Sequence, residues 1–251
     1  MSGLRIGIVC HASYGGSGVI ATELGLSLAE RGHDVHFIAA ARPPRLGDAK
    51  NVTVHEVGVP THPVLPSGDL GLALASTLTR LELDVVHVHY ALPFAVSAAL
   101  AGEVLGRKAP ALVVTVHGTD VLTLGAEQAY APMVRHALRR AQLVTAPSKF
   151  LALKATSLAD VDVQVLSNFV DTTRFTPGAP AGRVLVHNSN FRSVKRIEDV
   201  LAIHARSGAD ELLLLGDGPE RVNVENVIRR DGVRGVTLLG ECRDVAPHLQ
   251  R

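Results

Sequence analysis

Short apolar runs alternate with stretches of helical periodicity along most of the chain. The first run, residues 4–10, is rich in β-branched residues, and Ile20, Leu24 and Leu28 then recur at helical spacing. Strands are predicted over residues 4–10, 34–40, 52–57, 85–89, 111–116, 143–146, 163–166, 183–187, 211–215 and 236–239. Helices are predicted over residues 19–31, 70–81, 94–105, 133–140, 149–158, 194–205 and 222–230. Strands that alternate with helices favour an α/β fold with a mostly parallel sheet and right-handed crossovers.

The pattern is interrupted by a segment rich in proline and glycine. Residues 167–182 contain Pro177 and Gly178 and have the composition of a linker. The linker divides the 251 residues into a first unit, residues 1–166, and a second unit, residues 183–251. The second unit contains only three predicted strands, fewer than a doubly wound domain usually has, so we expect it to be incomplete.

Composition narrows the classes of partner. A formal net charge of +1 gives no large field to attract nucleic acid or an anionic membrane, and aromatic residues make up only 4%, too few for base-stacking platforms. The cysteines, Cys10 and Cys242, have neither disulfide nor metal-ligand spacing and suit a reducing cytosol. The sequence contains no recognisable signal peptide or membrane-spanning run. It therefore predicts a cytoplasmic protein that binds neither nucleic acid nor membranes.

A glycine-dense turn, residues 15–18, separates the first predicted strand from the first predicted helix. Small residues let backbone N–H groups approach a ligand, and a helix N-terminus adds partial positive charge, so the turn favours phosphate binding. A plain turn without a ligand is the alternative. The turn lacks the GK[ST] of a P-loop and the spacing G-x-G-x-x-G, and the second strand ends in alanines where an NAD site needs an acidic residue. Arg42 could accommodate a 2′-phosphate, which leaves an NADP oxidoreductase open as an alternative.

Polar residues collect where the predicted strands end, which is where ligands bind in open α/β sheets. In the first unit they are residues 11–18, 89–90, 117–120, Ser148 and Asn168. In the second unit they are residues 188–196, 216–218 and 240–242. One polar rim in each unit predicts a cleft between two Rossmann-like domains. A diphosphate would be held there by backbone N–H groups of the first unit and by Lys195 with Asn190 or Arg192 of the second.

Several of these residues also have purely structural interpretations. His87 and His89 share a strand face and could be a metal pair, but no carboxylate stands nearby in the sequence, and a partly buried His87 with a backbone partner is the alternative. Residues 117–120 could be only a turn whose last residue caps a helix. Lys195 and Arg196 are predicted to begin a helix, where the helix dipole disfavours cations, so an anion bound at that terminus explains them better. No Ser–His–Asp or Cys–His arrangement stands out.

Six segments together carry a resemblance to one known family. They are residues 15–18, 87–93, 116–121, 166–171, 189–196 and 215–220, which follow one another along nearly the whole chain. They resemble the retaining GT-B glycosyltransferases of family 4, which implies two Rossmann-like, doubly wound domains facing a cleft, the second one incomplete here. The resemblance extends to members that transfer N-acetylglucosamine from UDP-N-acetylglucosamine to the hydroxyl of L-malate, the first step of bacillithiol synthesis. It implies retention of the anomeric centre, no cofactor and no required metal.

The resemblance also implies roles for individual residues. The donor diphosphate is assigned to Gly16, Ser17, Gly18, Asn190 and Lys195. The sugar lies beside His117, so catalysis is assigned to His117 and Lys195. Uracil is assigned to the backbone of Gly240, Glu241 and Cys242. The carboxylates of the acceptor, which need cationic and hydroxyl donors, are assigned to Tyr90, Thr119, Asn168 and Arg192. The departing phosphate oxygen helps to deprotonate the acceptor, so that no protein base is needed.

The family continues into a segment with two glutamates that contact the sugar and the ribose, and this sequence has no counterpart of it. We therefore expect a truncated chain with little or no activity of its own. A homodimer is compatible with the resemblance. Two alternatives stay open, namely the same chemistry on another acceptor, such as inositol phosphate or a sugar, and a nucleotide-binding fragment without catalysis.

Overall fold

The structure is a computed structural model that describes residues 3–59, 69–179 and 182–251. The chain divides into two compact units, Met1–Asn168 and Phe169–Arg251. Residues 180 and 181 of the predicted linker lie outside the described residues. In the part of the chain that the structure describes, no helix is both long and apolar enough to cross a membrane.

The described strands of the first unit form one seven-stranded parallel sheet in the order β3-β2-β1-β4-β5-β6-β7. The strands are β1 (Arg5–Val9), β2 (Asp34–Ala39), β3 (Val52–Glu56), β4 (Val85–His89), β5 (Ala111–Thr115), β6 (Leu143–Ala146) and β7 (Val163–Val165). The helices are α1 (Gly16–Glu30), α2 (Leu70–Leu78), α3 (Val96–Leu105), α4 (Ala131–Arg140) and α5 (Lys149–Ala159). The predicted α/β fold with a parallel sheet is thereby confirmed.

Helices pack on both faces of this sheet. Ile8 of β1 and Phe37 of β2 belong to a buried cluster under α1. Val9, which follows Ile8 in β1, belongs to a second cluster formed with α2 to α5. Alternate residues of a strand point to opposite faces, so both faces of β1 are covered. A Cβ atom on Gly25 would collide with the Phe37 ring, and the glycine therefore allows α1 to lie close against β2.

The strand order reverses at β1, which pairs with β2 on one side and with β4 on the other. The loops after β1 and β4, which start at Cys10 and Tyr90, therefore leave neighbouring strands at the same edge of the sheet. In open α/β sheets the crevice beyond the carboxyl ends of two such strands is the usual ligand site. The fold thus brings the two polar loops of the first unit together.

The described strands of the second unit form a smaller parallel sheet in the order β10-β9-β8. Its elements are β8 (Val184–Asn188), α6 (Ile197–Ser207), β9 (Glu211–Leu215), α7 (Arg221–Arg230), β10 (Val236–Gly240) and α8 (Ala246–Leu249). The central strand β9 consists of Glu211 and four buried leucines, which contribute alternately to clusters on the two faces. A continuous apolar run of this kind is typical of a strand covered on both sides.

The predicted strands β4, β6 and β9 have the bounds that the structure shows, but five helix starts differ, and those of α1 and α6 differ most, by three residues each. Helix α1 begins at Gly16, within the glycine turn, rather than at residue 19. Helix α6 begins at Ile197, because Ser193–Lys195 forms a separate 3₁₀ turn and Arg196 is left-handed, with a φ of 49°. A left-handed residue cannot continue an α-helix. The prediction that Lys195 and Arg196 begin the helix is therefore wrong, since both precede it.

Candidate functional site

The first part of the candidate site is the N-terminus of α1. The N-cap residue is Gly15, which has no side chain to accept a hydrogen bond, and none of the described residues accepts from the N–H groups of Gly16, Ser17 and Gly18. A Cβ atom on Gly18 would lie 2.6 Å from the carbonyl oxygen of His11, so this glycine is required by packing. A Cβ atom on Gly16 would meet no atom within 4 Å. The helix therefore starts with unpaired N–H groups beside open space, which suits an anion.

The second part is Tyr90, directly after β4. Its backbone has a φ of 95°, a conformation that is rare for a bulky residue and that marks local strain. The ring centroid of Tyr90 lies 5.2 Å from that of His117 and 5.4 Å from that of His11. Three loops that follow β1, β4 and β5 therefore meet at these rings. Through His11, which Gly18 abuts, the structure brings the glycine turn, Tyr90 and His117 together.

The third part consists of the imidazole rings of His87, His89 and His117, the last of which contacts the Tyr90 ring. His117 Nε2 lies 3.0 Å from Nδ1 of His89, which is buried. His87 stacks on His89 with ring centroids 4.7 Å apart, and its Nε2 lies 2.7 Å from the Thr115 hydroxyl. In the described residues no three His, Cys, Asp or Glu side chains are arranged to hold a metal ion. His87 and His89 instead make hydrogen bonds within the protein.

Burial controls the charge of these histidines. It lowers the pKa of His87 to about 4, and it lowers the pKa of His117 to about 4 with smaller contributions from the nearby His87 and His11. The pKa of the buried His89 is lowered well below its ordinary value for the same reason. All three rings are therefore neutral at neutral pH, and each carries one N–H group.

The carboxylate of Asp120 holds the two loops after β4 and β5 in place. It is fully buried and accepts hydrogen bonds from the backbone N–H groups of Ala91, at 3.2 Å, and of His117 and Gly118, at 3.1 and 2.9 Å. Burial raises the pKa of Asp120 above its ordinary value, although the backbone N–H groups oppose this shift. The interpretation of Asp120 as a helix cap is wrong. A cap accepts from N–H groups that follow it in the chain, whereas the Asp120 carboxylate accepts from N–H groups of the preceding residues and of the loop after β4.

Thr119 and Asn168 make no described ring contact with Tyr90 or His117. Both are exposed, and Asn168 is the last residue of the first unit. Thr119 begins a short π-helical turn that follows His117 and Gly118. Among the described residues no side-chain hydrogen bond joins Asn168 to Tyr90 or His117. The structure of the first unit therefore does not place Asn168 in contact with these two rings.

In the second unit, backbone contacts bring the loops after the three strands together. Gly216 N–H donates to the Gly240 carbonyl at 2.6 Å, and a Cβ atom on Gly218 would collide with the Asn190 carbonyl. Asn190 Oδ1 is buried and has no partner among the described residues. Asn190 and Gly240, which were both predicted to bind the donor, are therefore connected through Gly216 and Gly218 in the loop after β9. Cys242 Sγ lies 3.6 Å from the Gly240 carbonyl oxygen.

Two cations of this rim, Arg192 and Lys195, are exposed; Arg192 directly precedes the 3₁₀ turn before α6, and Lys195 is the last residue of that turn. Burial lowers the pKa of His187, at the end of β8, and the positive charge of Lys195 lowers it further. Lys195 therefore lies near the carboxyl end of β8. Glu241 is also exposed, whereas Asp217 forms an ion pair with Arg221 at 2.9 Å.

His11, His89 and Asp120 were predicted to lie at the ends of strands, but the contacts that these residues make were not predicted from the sequence. A signal for His89 was present, since it alternates with His87 on one face of a strand. His89 has its partner His117 28 residues away, and Asp120 has one of its partners, Ala91, 29 residues away. These contacts depend on how β4 and β5 pair, which periodicity does not reveal.

Comparisons with known proteins agree on one family. Residues 14–174 match the model of Glycosyltransferase Family 4. N-acetyl-alpha-D-glucosaminyl L-malate synthase from Bacillus anthracis is 37% identical over 268 residues, which cover 98% of this chain and 70% of that protein. The predicted relationship is thereby confirmed. The NADP oxidoreductase has no support, and Arg42 donates to the Gly47 carbonyl within its own loop.

Solved structures of glycosyltransferases share the fold. Anabaena HepE in complex with UDP-glucose has a TM-score of 0.71 at 17% identity, over 95% of this chain and 69% of that one. A glycosyltransferase from Rickettsia africae has a TM-score of 0.71 at 16% identity, over 100% and 71%. The catalytic domain of starch synthase IV from Arabidopsis thaliana, bound to ADP and acarbose, has a TM-score of 0.66 at 14% identity, over 99% and 76%. These likenesses confirm a fold of the GT-B type.

Replacement of Asp120 tests how strongly its carboxylate holds the two loops. Asp120→Ala removes the acceptor of three backbone N–H groups. We expect the free energy of unfolding of the first unit to fall by about 1–3 kcal/mol for each donor left buried without a partner. Asp120→Asn, the matched control, keeps one acceptor oxygen and should lose less. Urea unfolding followed by circular dichroism measures both variants, and an Asp120→Ala variant as stable as the wild type would contradict the expectation.

The buried histidines predict a pH dependence of stability. The folded-state pKa of His87 and of His117 is about 4, below the ordinary value of 6.5, so the unfolded chain binds more protons between these pH values. Stability should therefore be lost as pH falls through this window, by roughly 2–4 kcal/mol for the first unit between about pH 7 and pH 5. Urea unfolding at both pH values measures this loss. His87→Gln, which does not titrate, should weaken the dependence, and an unchanged slope in that variant would refute the assignment.

Proposed function

Because the chain belongs to glycosyltransferase family 4, we propose that it binds the substrates for transfer of N-acetylglucosamine from UDP-N-acetylglucosamine to the hydroxyl of L-malate, with retention. One observation supports L-malate as the acceptor in this proposal. The relative that is 37% identical over 98% of this chain is named as a synthase of N-acetylglucosaminyl L-malate. A cytoplasmic location and a homodimer stay predictions.

The donor diphosphate is assigned to two sets of groups. In the first unit they are the N–H groups of Gly16, Ser17 and Gly18, which have no acceptor among the described residues. In the second unit they are Asn190 and Lys195. Helix N–H groups carry partial positive charge. A lysine about 4 Å from a phosphate charge contributes about 4 kcal/mol at an effective dielectric constant near 20, and less when exposed.

Uracil is assigned to residues Gly240, Glu241 and Cys242, at the end of β10. Strand β10 ends at Gly240, whose φ of 70° is left-handed, a conformation that glycine adopts without steric cost. Backbone N–H and carbonyl groups can pair with the donor and acceptor edge of a base. The side chains of Glu241 and Cys242 need not take part in this recognition.

L-malate carries two carboxylates and one hydroxyl, so its site needs hydrogen-bond donors and positive charge. The residues assigned to it are Tyr90, Thr119, Asn168 and Arg192. A guanidinium group binds a carboxylate with two parallel hydrogen bonds, and hydroxyl and amide groups supply further donors. The strained backbone of Tyr90 supports a role in binding, because strain of this kind collects at functional sites.

The reaction breaks the bond between the anomeric carbon and the departing phosphate oxygen, and it forms a bond from the same face to the malate hydroxyl oxygen. The departing phosphate oxygen takes the proton of that hydroxyl, so no protein base is required. Lys195 and the N–H groups of α1 stabilise the negative charge that develops on the phosphate. His117, beside the sugar, contributes a hydrogen bond. No metal is needed in this scheme.

Removal of Lys195 tests the donor site. We expect Lys195→Ala to weaken UDP binding about tenfold or more, since about 1.4 kcal/mol of lost electrostatic attraction corresponds to a tenfold change. Isothermal titration calorimetry with UDP measures the dissociation constant. The matched control is Lys108→Ala, which removes an exposed lysine before the amino end of β5 and should leave UDP binding unchanged. Equal effects of the two variants would contradict the assignment.

Titration of the acceptor decides between malate and its alternatives. With UDP saturating, we expect L-malate to bind, whereas D-malate, with its hydroxyl reversed, and inositol 1-phosphate should bind at least about tenfold more weakly. Calorimetry on the 251-residue chain provides the measurement. Preferential binding of inositol phosphate would contradict L-malate as the acceptor and would indicate inositol phosphate instead. Binding of UDP without binding of any acceptor would leave only a nucleotide-binding role.

A further inference from the structure

His89 is completely enclosed in the first unit, and the mechanism proposed above gives it no contact with a substrate. We infer that His89 is a positioning residue, which fixes the tautomer of His117 so that His117 presents an N–H group at Nδ1 to an acceptor oxygen of the ligand. The inference rests on the proposed function, in which His117 lies beside the transferred sugar.

The bond between the two rings restricts where their protons can be. Nδ1 of His89 and Nε2 of His117 are 3.0 Å apart, which is a hydrogen-bond distance, so one proton lies between them. Burial lowers the pKa of both side chains below the ordinary value, and each neutral ring has a single N–H group. Only two arrangements of the two protons are then possible.

In the first arrangement His89 donates from Nδ1 to Nε2 of His117, and the proton of His117 is on Nδ1. In the second, His117 donates from Nε2, and the proton of His89 is on its own Nε2. That atom is buried and has no hydrogen-bond partner among the described residues. The second arrangement would therefore bury an N–H donor without an acceptor. Buried donors without partners are rarer in proteins than acceptors that are under-satisfied, so the first arrangement is favoured.

The other nitrogen of His117 is available to a ligand. In the part of the chain that the structure describes, Nδ1 of His117 has no protein partner, and it is not among the buried unpaired atoms. The ring stands beside Tyr90, at the edge of the sheet where ligands bind. With its proton on Nδ1, His117 acts towards the ligand as a donor to a hydroxyl or phosphate oxygen. It cannot take the proton of the acceptor hydroxyl at that atom.

Nuclear magnetic resonance reads the tautomer directly, without any ligand. In the intact chain labelled with ¹⁵N-histidine, long-range ¹H–¹⁵N correlations distinguish a protonated ring nitrogen from an unprotonated one, and loss of signals in His117→Asn identifies those of His117. We expect a protonated Nδ1 and an unprotonated Nε2 in the wild type. A protonated Nε2 with an unprotonated Nδ1 would overturn the inference.

Two variants of His89 test whether this residue imposes the tautomer. His89→Leu removes the donor, and we expect the protonation pattern of His117 to change. His89→Asn, the matched control, keeps an N–H group near the position of Nδ1 and should preserve the wild-type pattern. A His117 pattern that is unchanged in His89→Leu would overturn the inference, and so would one that is lost equally in both variants.

A second readout separates positioning from general destabilisation. The ratio of the dissociation constants for UDP and UDP-N-acetylglucosamine reports the contacts of the sugar alone. We expect this ratio to fall about tenfold or more in His89→Leu, by analogy with the loss seen when the orienting partner of a metal-ligating histidine is removed, and to stay near the wild-type value in His89→Asn. An unchanged ratio in a folded His89→Leu variant would overturn the role towards the sugar. A wild type that has the expected tautomer but binds no UDP-sugar would refute the proposed function instead.

Discussion

The polar end of the first unit depends on the buried carboxylate of Asp120. Strand pairing between β4 and β5 extends to the pair His89–Thr115, and a backbone hydrogen bond follows at Tyr90, after which both loops leave the sheet. A carboxylate offers several lone pairs, so one side chain can accept from both loops at once. The acceptor is fully buried, and water cannot replace it without local opening. The positions of the Tyr90 and His117 rings are therefore coupled through a residue that itself faces no ligand.

Burial also decides which chemistry the first unit can offer. The imidazoles of His87, His89 and His117 stay neutral, so they can direct hydrogen bonds but add no positive charge to the rim. In the proposed function the anion is attracted in this unit by the N–H groups at the start of α1, whose first turn contains no acidic residue. In the proposed reaction the side-chain charge is then supplied by Lys195 of the second unit.

Sequence patterns predict the strands of this protein well because the strands are buried and bounded by turns. Four leucines in β9 and β-branched residues in β4 leave little choice of element. Helix starts were less predictable, since Gly16 is a poor helix former and the left-handed φ of Arg196 is unusual outside glycine. The rule that ligands bind at strand ends brought out the glycine turn, Tyr90 and residues 117–120. It could not reveal the hydrogen bond from Ala91 to Asp120, because that contact depends on how β4 and β5 pair.

The start of α6 explains why an anion in the second unit would depend on Lys195 and not on the helix dipole. The first turn of α6 already contains Glu198 and Asp199, which offset the partial positive charge of the terminus. Arg196 forms an ion pair with Asp199, so the cation next to the helix has a partner within the protein. Among these neighbours, Lys195 is exposed and affects the titration of His187 at the end of β8. A diphosphate in the second unit would therefore be attracted by the charge of an exposed side chain, whereas in the first unit it would meet backbone dipoles.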